Sequence, residues 1–192
     1  MERLQIEVEA SARHIHLTAE ALETLFGPGY ALHKKRDLSQ PGEYLSEEKV
    51  RIEGPRGAID KVSILGPLRK VTQIEVSLTD ARVLGIKPPV RLSGDIAGSA
   101  GLTVVGPAGT LVLAEGAVVA KRHIHLIPET AERYGIVDGQ IVSVVVGGER
   151  GLTFDQTAVR VHPNFADRMH IDFDEVNAAG LPGVVMGTVI LK

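Results

Sequence analysis

The chain is built from short runs of β-branched and aliphatic residues that turn-forming residues separate. Such runs occupy residues 50–52, 62–65, 74–78, 102–105, 110–113, 141–146 and 184–191. Between them, Gly and Pro recur in clusters, for example at residues 54–57 and 106–109. This spacing of short runs and turns is typical of β-sandwiches and small β-barrels. The pattern therefore predicts a mainly β protein.

Four segments have the start and stop signals of short helices. Residues 18–26 begin with a capping Thr, and residues 128–134 carry Pro in the first turn. These two segments and residues 80–84 and 174–179 all run into a glycine. Glycine just beyond the last turn is favoured because it readily adopts the left-handed conformation that closes a helix. We therefore expect helices to be few and short.

The chain contains an internal repeat. The motif Arg-His-Ile-His-Leu at residues 13–17 recurs at residues 122–126, which is 109 positions later. Five identical residues in a row are not expected by chance. Later matches, such as Arg56 with Arg150, lie 94–95 positions apart, so the first half carries an insertion of about fourteen residues (109 minus 95). The polar stretch 29–48 is the obvious place for it, and we infer two related small β units.

Each copy of the repeated motif holds a His-x-His pair. Alternate residues of a strand point to the same face, so His14 and His16 can reach one ion, and so can His123 and His125. Imidazole is the commonest metal ligand in proteins, and catalytic zinc typically takes three protein ligands with a fourth position left open. The two pairs therefore predict two metal sites.

The register of the repeat supplies a third ligand for each pair. At an offset of 95 residues Glu75 corresponds to His170, and both interrupt apolar strand patterns. A polar group in a segment destined for burial is costly unless it is paired or bound to a metal. Two matched trios favour metal binding over the alternative, a duplicated hydrogen-bonding device. His33 and His162 are typical of solvated or backbone-bonded histidines, and we assign them no role.

Arg69 follows a Gly-Pro turn six residues before Glu75. Its planar guanidinium can bind phosphate or carboxylate through two hydrogen bonds, so its position near a predicted metal indicates an anionic ligand. From the residues alone, an ordinary surface arginine is the alternative. The basic triplet at residues 34–36 is typical of a solvated loop.

Composition narrows the classes of function. The 192 residues include no Cys, which excludes disulfides, thiolate metal sites and a cysteine nucleophile. A formal net charge of −3 and an aromatic content of 4% argue against nucleic-acid binding. The sequence has no signal-peptide pattern and no run of about 18 apolar residues, so we expect no membrane span and a cytoplasmic location.

Several motifs, taken in order, resemble the PduL-type phosphate propanoyltransferases. The resemblance covers nearly the whole chain and rests on residues 11–17, 53–57, 65–69, 73–77, 91–94, 122–125 and 169–172. It implies an enzyme that interconverts acyl-CoA plus phosphate with acyl phosphate plus CoA, as a homodimer or larger homo-oligomer. About ten residues precede Ser11, fewer than the amphipathic targeting segment of microcompartment members needs, so we expect a cytosolic enzyme.

The resemblance also implies a fold. It predicts two similar small β-barrels, related by internal duplication, with short capping helices. One barrel would be discontinuous and take residues 1–12 and 121–192. The other would take residues 13–120, with a polar loop or hairpin inserted at about residues 27–48.

Carried over by position, the resemblance implies two zinc ions per chain. One zinc takes His14, His16 and Glu75, and the other takes His123, His125 and His170. These are the trios that the repeat register selects.

The substrate contacts follow from the same correspondence. Arg69 matches the family's phosphate-binding arginine, which would take part in catalysis. The positions that meet CoA in the family correspond to Ser11, Ala12, Arg56, Ser93 and Asn177. Ser63 stands where a basic CoA contact is expected, so binding of the CoA phosphates would depend on Arg56 or Lys61. We expect phosphate to attack the thioester directly, without a covalent enzyme intermediate.

Two other classes of function stay open at this point. A zinc pair that activates phosphate can equally activate water, which describes a metal-dependent thioester or phosphoester hydrolase. A duplicated barrel that binds metal or CoA without turnover is the other alternative. A thioester assay with and without phosphate separates all three.

Overall fold

The computed structural model describes residues 3–191, in which fourteen strands and four short helices are found. The strands are β1 (Gln5–Ala10), β2 (His14–His16), β3 (Lys34–Asp37), β4 (Tyr44–Glu53), β5 (Ala58–Gly66), β6 (Gln73–Glu75), β7 (Val90–Arg91), β8 (Ala100–Val105), β9 (Thr110–Ala120), β10 (His123–Leu126), β11 (Ile141–Val146), β12 (Leu152–Val161), β13 (Arg168–Ile171) and β14 (Val185–Ile190). The helices are α1 (Ala19–Phe26), α2 (Leu78–Leu84), α3 (Pro128–Tyr134) and α4 (Phe173–Ala179).

The described chain divides into two compact units. The first unit comprises the described parts of Met1–Ala12, Ser39–Pro41 and Lys121–Lys192. The second unit comprises Arg13–Leu38 and Gly42–Ala120. Three residues from the middle of the insertion, Ser39–Pro41, therefore belong to the first unit.

The first unit is a closed barrel of six strands. Its strands follow one another around the barrel in the order β1, β13, β10, β12, β11 and β14, and β14 pairs with β1 to close it. Alternate residues of these strands point inward and form a buried apolar core. Core members with almost no exposure include Val8, Ile124, Leu126, Val144 and Met169.

The second unit holds another six-stranded barrel. Its pairs run from β4 to β5, β2, β6, β9 and β8, and β8 pairs back onto β4. Two further strands are added to this barrel, because β3 pairs with β4 and β7 pairs with β9. Its core includes Ile15, Ile52, Ile64, Ile74 and Val104.

The two barrels share one pattern of strand pairing. In the second unit β2 runs parallel to β5 and antiparallel to β6, and in the first unit β10 runs parallel to β12 and antiparallel to β13. The strand that precedes each His-x-His strand in the sequence belongs to the other barrel. β1 precedes β2 but pairs within the first unit, and β9 precedes β10 but pairs within the second; we call these two the exchanged strands. The predicted mainly β fold of two duplicated barrels is confirmed.

Capping side chains set the starts of α2 and α4. Ser77 and Asp80 form a capping box at α2, and Asp172 and Glu175 form one at α4. Each cap satisfies backbone N–H groups that the first turn leaves without a partner. As a result, α2 and α4 begin two residues and one residue earlier than the glycine-based pattern predicts. Among the described residues, no helix has the length and apolar character needed to cross a membrane.

The insertion forms a hairpin. The exposed strand β3 pairs antiparallel with the start of β4, with Asp37 opposite Tyr44. The basic triplet lies on this exposed strand, and Lys34 forms an ion pair with Asp37. The triplet is therefore solvated, as predicted, but it lies on a strand and not in a loop.

Candidate metal centres and anion site

The second unit places four polar side chains on one face of two short strands. In the pairing of β2 with β6, His14 lies opposite Glu75 and His16 lies opposite Gln73. Ile15 and Ile74, which alternate with them, point into the core. All four polar residues are buried. Burial of four polar groups on one face requires partners for them, whether protein atoms or an ion.

His14, His16 and Glu75, called here the second-unit trio, converge as metal ligands do. The Nε2 atoms of His14 and His16 are 3.2 Å apart, and His14 Nε2 is 3.6 Å from Glu75 Oε2. Zinc–nitrogen bonds of about 2.0–2.1 Å in a tetrahedron bring neighbouring ligand atoms to about 3.3–3.4 Å from each other. The spacing of the trio therefore fits a divalent ion of that size.

The protonation state of His16 also suits a metal ligand. Burial lowers the pKa of His16 to about 2, and the nearby charges of His14 and Arg69 act in the same direction. The ring is therefore neutral near pH 7 and keeps a nitrogen lone pair. Neutral imidazole is the form that binds metals.

The first unit repeats this arrangement with three histidines, called here the first-unit trio. In the pairing of β10 with β13, His123 lies opposite His170 and His125 lies opposite Arg168. Each of His123, His125 and His170 offers one ligand atom, and these atoms lie within 4.8 Å of one another. The second-unit trio meets the same limit. The structure therefore brings each predicted trio together.

Hydrogen bonds orient two rings of the first-unit trio. His123 Nδ1 donates to the Lys121 carbonyl at 2.8 Å, which leaves the lone pair on Nε2. His170 Nε2 lies 2.8 Å from Glu9 Oε1, on β1. Metal-bound histidines usually hold their second ring nitrogen in this way, against a carbonyl or a carboxylate.

His125 completes the first-unit trio. Burial lowers its pKa to about 2, and the charges of His123, His170 and Arg160 add to the effect. Among the described residues, its buried Nδ1 has no hydrogen-bond partner. A buried ring nitrogen without a hydrogen-bond partner is costly. An ion bound by the neutral ring of His125 would give this side chain a polar partner. The donor set therefore fits a metal.

Gln73 links the second-unit trio to a neighbouring anion site. Its Nε2 donates to Glu75 Oε1 at 2.7 Å and to Ser93 Oγ at 2.9 Å. Its Oε1 accepts from the Gly94 N–H at 2.7 Å. These contacts hold the Glu75 carboxylate and the Ser93 hydroxyl on either side of one amide nitrogen.

Arg69 lies on the other side of Ser93. Its Nη1 donates to Ser93 Oγ at 3.1 Å and its Nη2 to Glu43 Oε1 at 2.7 Å. The side chain is 33% exposed, and its charge acts on His16. We call Arg69, Ser93 and Glu43 the anion site, because a solvent-accessible guanidinium close to the second-unit trio is suited to an anionic ligand.

The remaining predicted contact residues lie in both units. Ser11 and Ala12 follow β1, where the Ser11 N–H donates to the Ile171 carbonyl at 2.7 Å, and Asn177 is exposed on α4. Arg56 is exposed in the turn between β4 and β5. Ser93 is the member of the predicted set that joins the hydrogen bonds around Glu75 and Arg69.

Sequence reasoning missed Gln73, Glu43 and Glu9. The signal for Gln73 was available, because it stands two residues before Glu75 on the same strand face. Glu43 and Glu9 gave no comparable signal. Glu9 reaches His170 only because β1 runs parallel to β13, a pairing between residues 161 positions apart.

The chain is similar in sequence to known proteins of one family. The sequence profile of the phosphate propanoyltransferase family matches residues 7–182. A phosphate propanoyltransferase of Listeria monocytogenes is 51% identical over 187 residues, which cover 97% of this chain and 88% of the relative. One of Thermotoga maritima is 52% identical over 177 residues, covering 92% and 84%. One of Enterococcus faecalis is 48% identical over 184 residues, covering 96% and 87%.

Proposed function

Because the chain belongs to the phosphate propanoyltransferase family, it is a phosphate acyltransferase, and we propose that it transfers a short acyl group between CoA and inorganic phosphate with the help of two zinc ions. The observation that carries the proposal is the anion site beside the second-unit trio. In the proposed reaction an oxygen of hydrogen phosphate bonds to the acyl carbon, the carbon–sulfur bond breaks, and the sulfur leaves with the electron pair as the CoA thiolate, which takes up the proton that the phosphate releases.

The two trios are the proposed zinc ligands. His14, His16 and Glu75 would hold one ion, and His123, His125 and His170 the other. When bound, zinc supplies a Lewis acid that polarises an acyl carbonyl or orients a phosphate oxygen. The low pKa values of His16 and His125 support ligand roles for these rings rather than roles as proton donors near neutral pH.

Arg69 is the proposed phosphate-binding and catalytic residue. Its fork can bind two phosphate oxygens, and in this proposal its location near the second-unit trio would hold phosphate close to a thioester at that trio. Holding two reactants in place supplies a large part of the acceleration in such transfers. A fixed positive charge also stabilises the negative charge that develops in the transition state.

Ser93 is proposed as a hydrogen-bond donor to substrate. Its Oγ accepts from both Arg69 and Gln73, so both lone pairs are engaged and its single O–H can point to a ligand oxygen. A hydroxyl held in this way is a poor nucleophile. The contacts therefore support direct attack by phosphate over an acyl-serine intermediate.

The assay that tests the function uses acetyl-, propionyl- and butyryl-CoA with purified, metal-loaded protein. We expect CoA release that requires phosphate, an equal amount of acyl phosphate trapped as hydroxamate, and about two zinc ions per chain, one for each trio. CoA release without phosphate would instead identify a hydrolase. Binding of CoA without turnover would identify a non-catalytic barrel, and full activity of metal-free protein would overturn the zinc proposal.

A further inference from the structure

Glu43 places a negative charge directly against the arginine of the anion site. Its Oε1 accepts from Arg69 Nη2 at 2.7 Å, and the two side chains are 32% and 33% exposed. An incoming anion that binds Arg69 therefore meets a carboxylate at the same place. A site built only to attract anions would not carry this residue, because like charges at close range repel.

Main-chain hydrogen bonds anchor both residues. The Glu43 carbonyl accepts from the Leu38 N–H at 3.0 Å, across the end of the β3–β4 hairpin. The Arg69 N–H donates to the Leu17 carbonyl at 2.8 Å, and its Nη1 is engaged with Ser93. The guanidinium, a donor, and the carboxylate, an acceptor, lie side by side in contact.

A donor beside an acceptor distinguishes oxyanions by their protons. Near neutral pH inorganic phosphate keeps at least one proton, so it can accept from the Arg69 fork with its unprotonated oxygens and donate its O–H to Glu43. Sulfate has the same shape but carries no proton, so one of its oxygens would face the carboxylate without a hydrogen bond. A sulfate oxygen that faces the Glu43 carboxylate with no proton between them lowers the binding affinity far more than the loss of one neutral hydrogen bond does.

We propose that Glu43 is a specificity-determining residue that admits protonated phosphate and rejects sulfate and other fully deprotonated oxyanions. The proposal rests on the proposed function in one respect, namely that Arg69 binds the phosphate substrate. In this proposal the insertion, residues 27–48, contributes Glu43 to the anion site. The other members, Arg69 and Ser93, lie outside the insertion.

The test compares anion binding by the wild type and by Glu43→Gln. The glutamine keeps an oxygen that can accept from Arg69 but removes the negative charge. Isothermal titration of the metal-loaded protein with inorganic phosphate and with sulfate, in the absence of acyl-CoA, measures both affinities. We expect the wild type to prefer phosphate, and the variant to bind sulfate at least about ten-fold more tightly with a smaller change for phosphate.

Glu47→Gln is the matched control. Glu47 is exposed on β4, four residues from Glu43, and the substitution removes the same charge. The ratio of the affinities for phosphate and sulfate should therefore stay at the wild-type value. A Glu43→Gln protein with an unchanged ratio would overturn the proposal and reduce Glu43 to a residue that orients Arg69. A wild type that does not distinguish the anions would overturn it too.

The outcome can be separated from the fate of the proposed function. Titration reads the selection of the anion without any turnover. Phosphate-selective binding that Glu43→Gln abolishes, in a protein that transfers no acyl group, would support the role of Glu43 and contradict the reaction. Phosphate-dependent acyl transfer that sulfate inhibits equally in both proteins would do the reverse.

Discussion

At the scale of single residues, Gln73 connects metal binding to anion binding. It is 3% exposed, and its amide nitrogen donates to both Glu75 and Ser93. The amide thereby fixes the orientation of a proposed zinc ligand and of a proposed substrate contact at once. In the first unit the corresponding strand position is Arg168, which pairs with Glu7, so the two trios have different neighbours.

We expect Gln73→Leu to weaken metal binding at the second-unit trio about 10–100-fold, because residues that orient a ligand contribute this much to affinity. Competition with a chromophoric chelator should show one of the two zinc equivalents weakened and the other unchanged. Gln140→Leu is a control, since Gln140 bonds to the Val137 N–H in an exposed loop. Equal affinities in Gln73→Leu and wild type would contradict the assigned role.

Arg69→Ala should separate phosphate binding from metal binding. The loss of a charged donor that faces the substrate should lower turnover roughly 100-fold and raise the KM for phosphate, because this donor acts on charge that develops during the reaction. Zinc content should stay at the wild-type level. Arg91→Ala removes a similar charge from an exposed pair with Asp95 and should leave the kinetics unchanged. Unaltered phosphate kinetics in Arg69→Ala would remove Arg69 from the site.

The histidines of the site were predictable for a physical reason. Strand alternation pairs His14 with His16 and His123 with His125 from the sequence alone, and the repeat offset selects Glu75 and His170. The residues around these ligands depend on which strands pair. Glu43 comes from a hairpin and Glu9 from an exchanged strand, and neither pairing leaves a periodic trace.

At the scale of elements, the inserted hairpin is anchored by one buried carboxylate. Glu48, on β4, is 8% exposed and accepts from the Tyr30 hydroxyl, the His33 N–H and His33 Nδ1. Burial acts to raise the pKa of Glu48, but the hydrogen bonds from His33 and Tyr30 outweigh it and hold the pKa below its usual value. The ionised carboxylate therefore stabilises the segment that leads to Glu43.

The sign of the pH dependence follows from that lowered pKa. A carboxyl group whose pKa is lower in the folded state stabilises the fold above the ordinary value of 4.5, and this contribution is lost as the pH falls through the folded-state pKa. Glu48→Gln should therefore destabilise the second unit by about 1–3 kcal/mol at pH 7. The difference from wild type should shrink below the ordinary carboxyl pKa, and thermal unfolding at several pH values measures it.

Glu47→Gln, which alters an exposed residue of the same strand, should show no such pH-dependent difference. If the Glu48→Gln difference stayed constant down to acid pH, the charge of Glu48 would have no part in anchoring the hairpin.

Local signals predicted most elements, whereas long-range pairing was out of reach. α3 spans the residues that its Pro and Gly signals indicate, and α2 starts earlier because Ser77 caps it. The exchange of β1 and β9 could not be read from periodicity, since either strand satisfies the same alternation in either barrel. The family resemblance implied the discontinuous barrels, and composition and turns gave only the β class.

At the scale of the whole molecule, each proposed zinc site is complete within its own unit. The second-unit trio lies on β2 and β6, and the first-unit trio lies on β10 and β13. Both strands of each pair are hydrogen-bonded neighbours in one barrel, so binding an ion at a trio adds a cross-link inside that barrel. Ligands that bind only the folded state stabilise it by mass action.

Zinc should therefore protect each barrel separately. Hydrogen-exchange mass spectrometry measures this protection. The relevant amides of β2, β6, β10 and β13 are those that exchange only when the ligands of a trio separate. Zinc at a hundred-fold excess over its dissociation constant should slow their exchange by about a hundred-fold. The His16→Ala variant lacks one ligand of the second-unit trio and keeps the whole first-unit trio. It should therefore lose the protection in β2 and β6 and retain it in β10 and β13. His162→Ala, outside both trios, should behave as wild type. If His16→Ala lost the protection in all four strands, zinc binding at the first-unit trio would depend on the second-unit trio. That result would contradict the statement that each site is complete within its own unit.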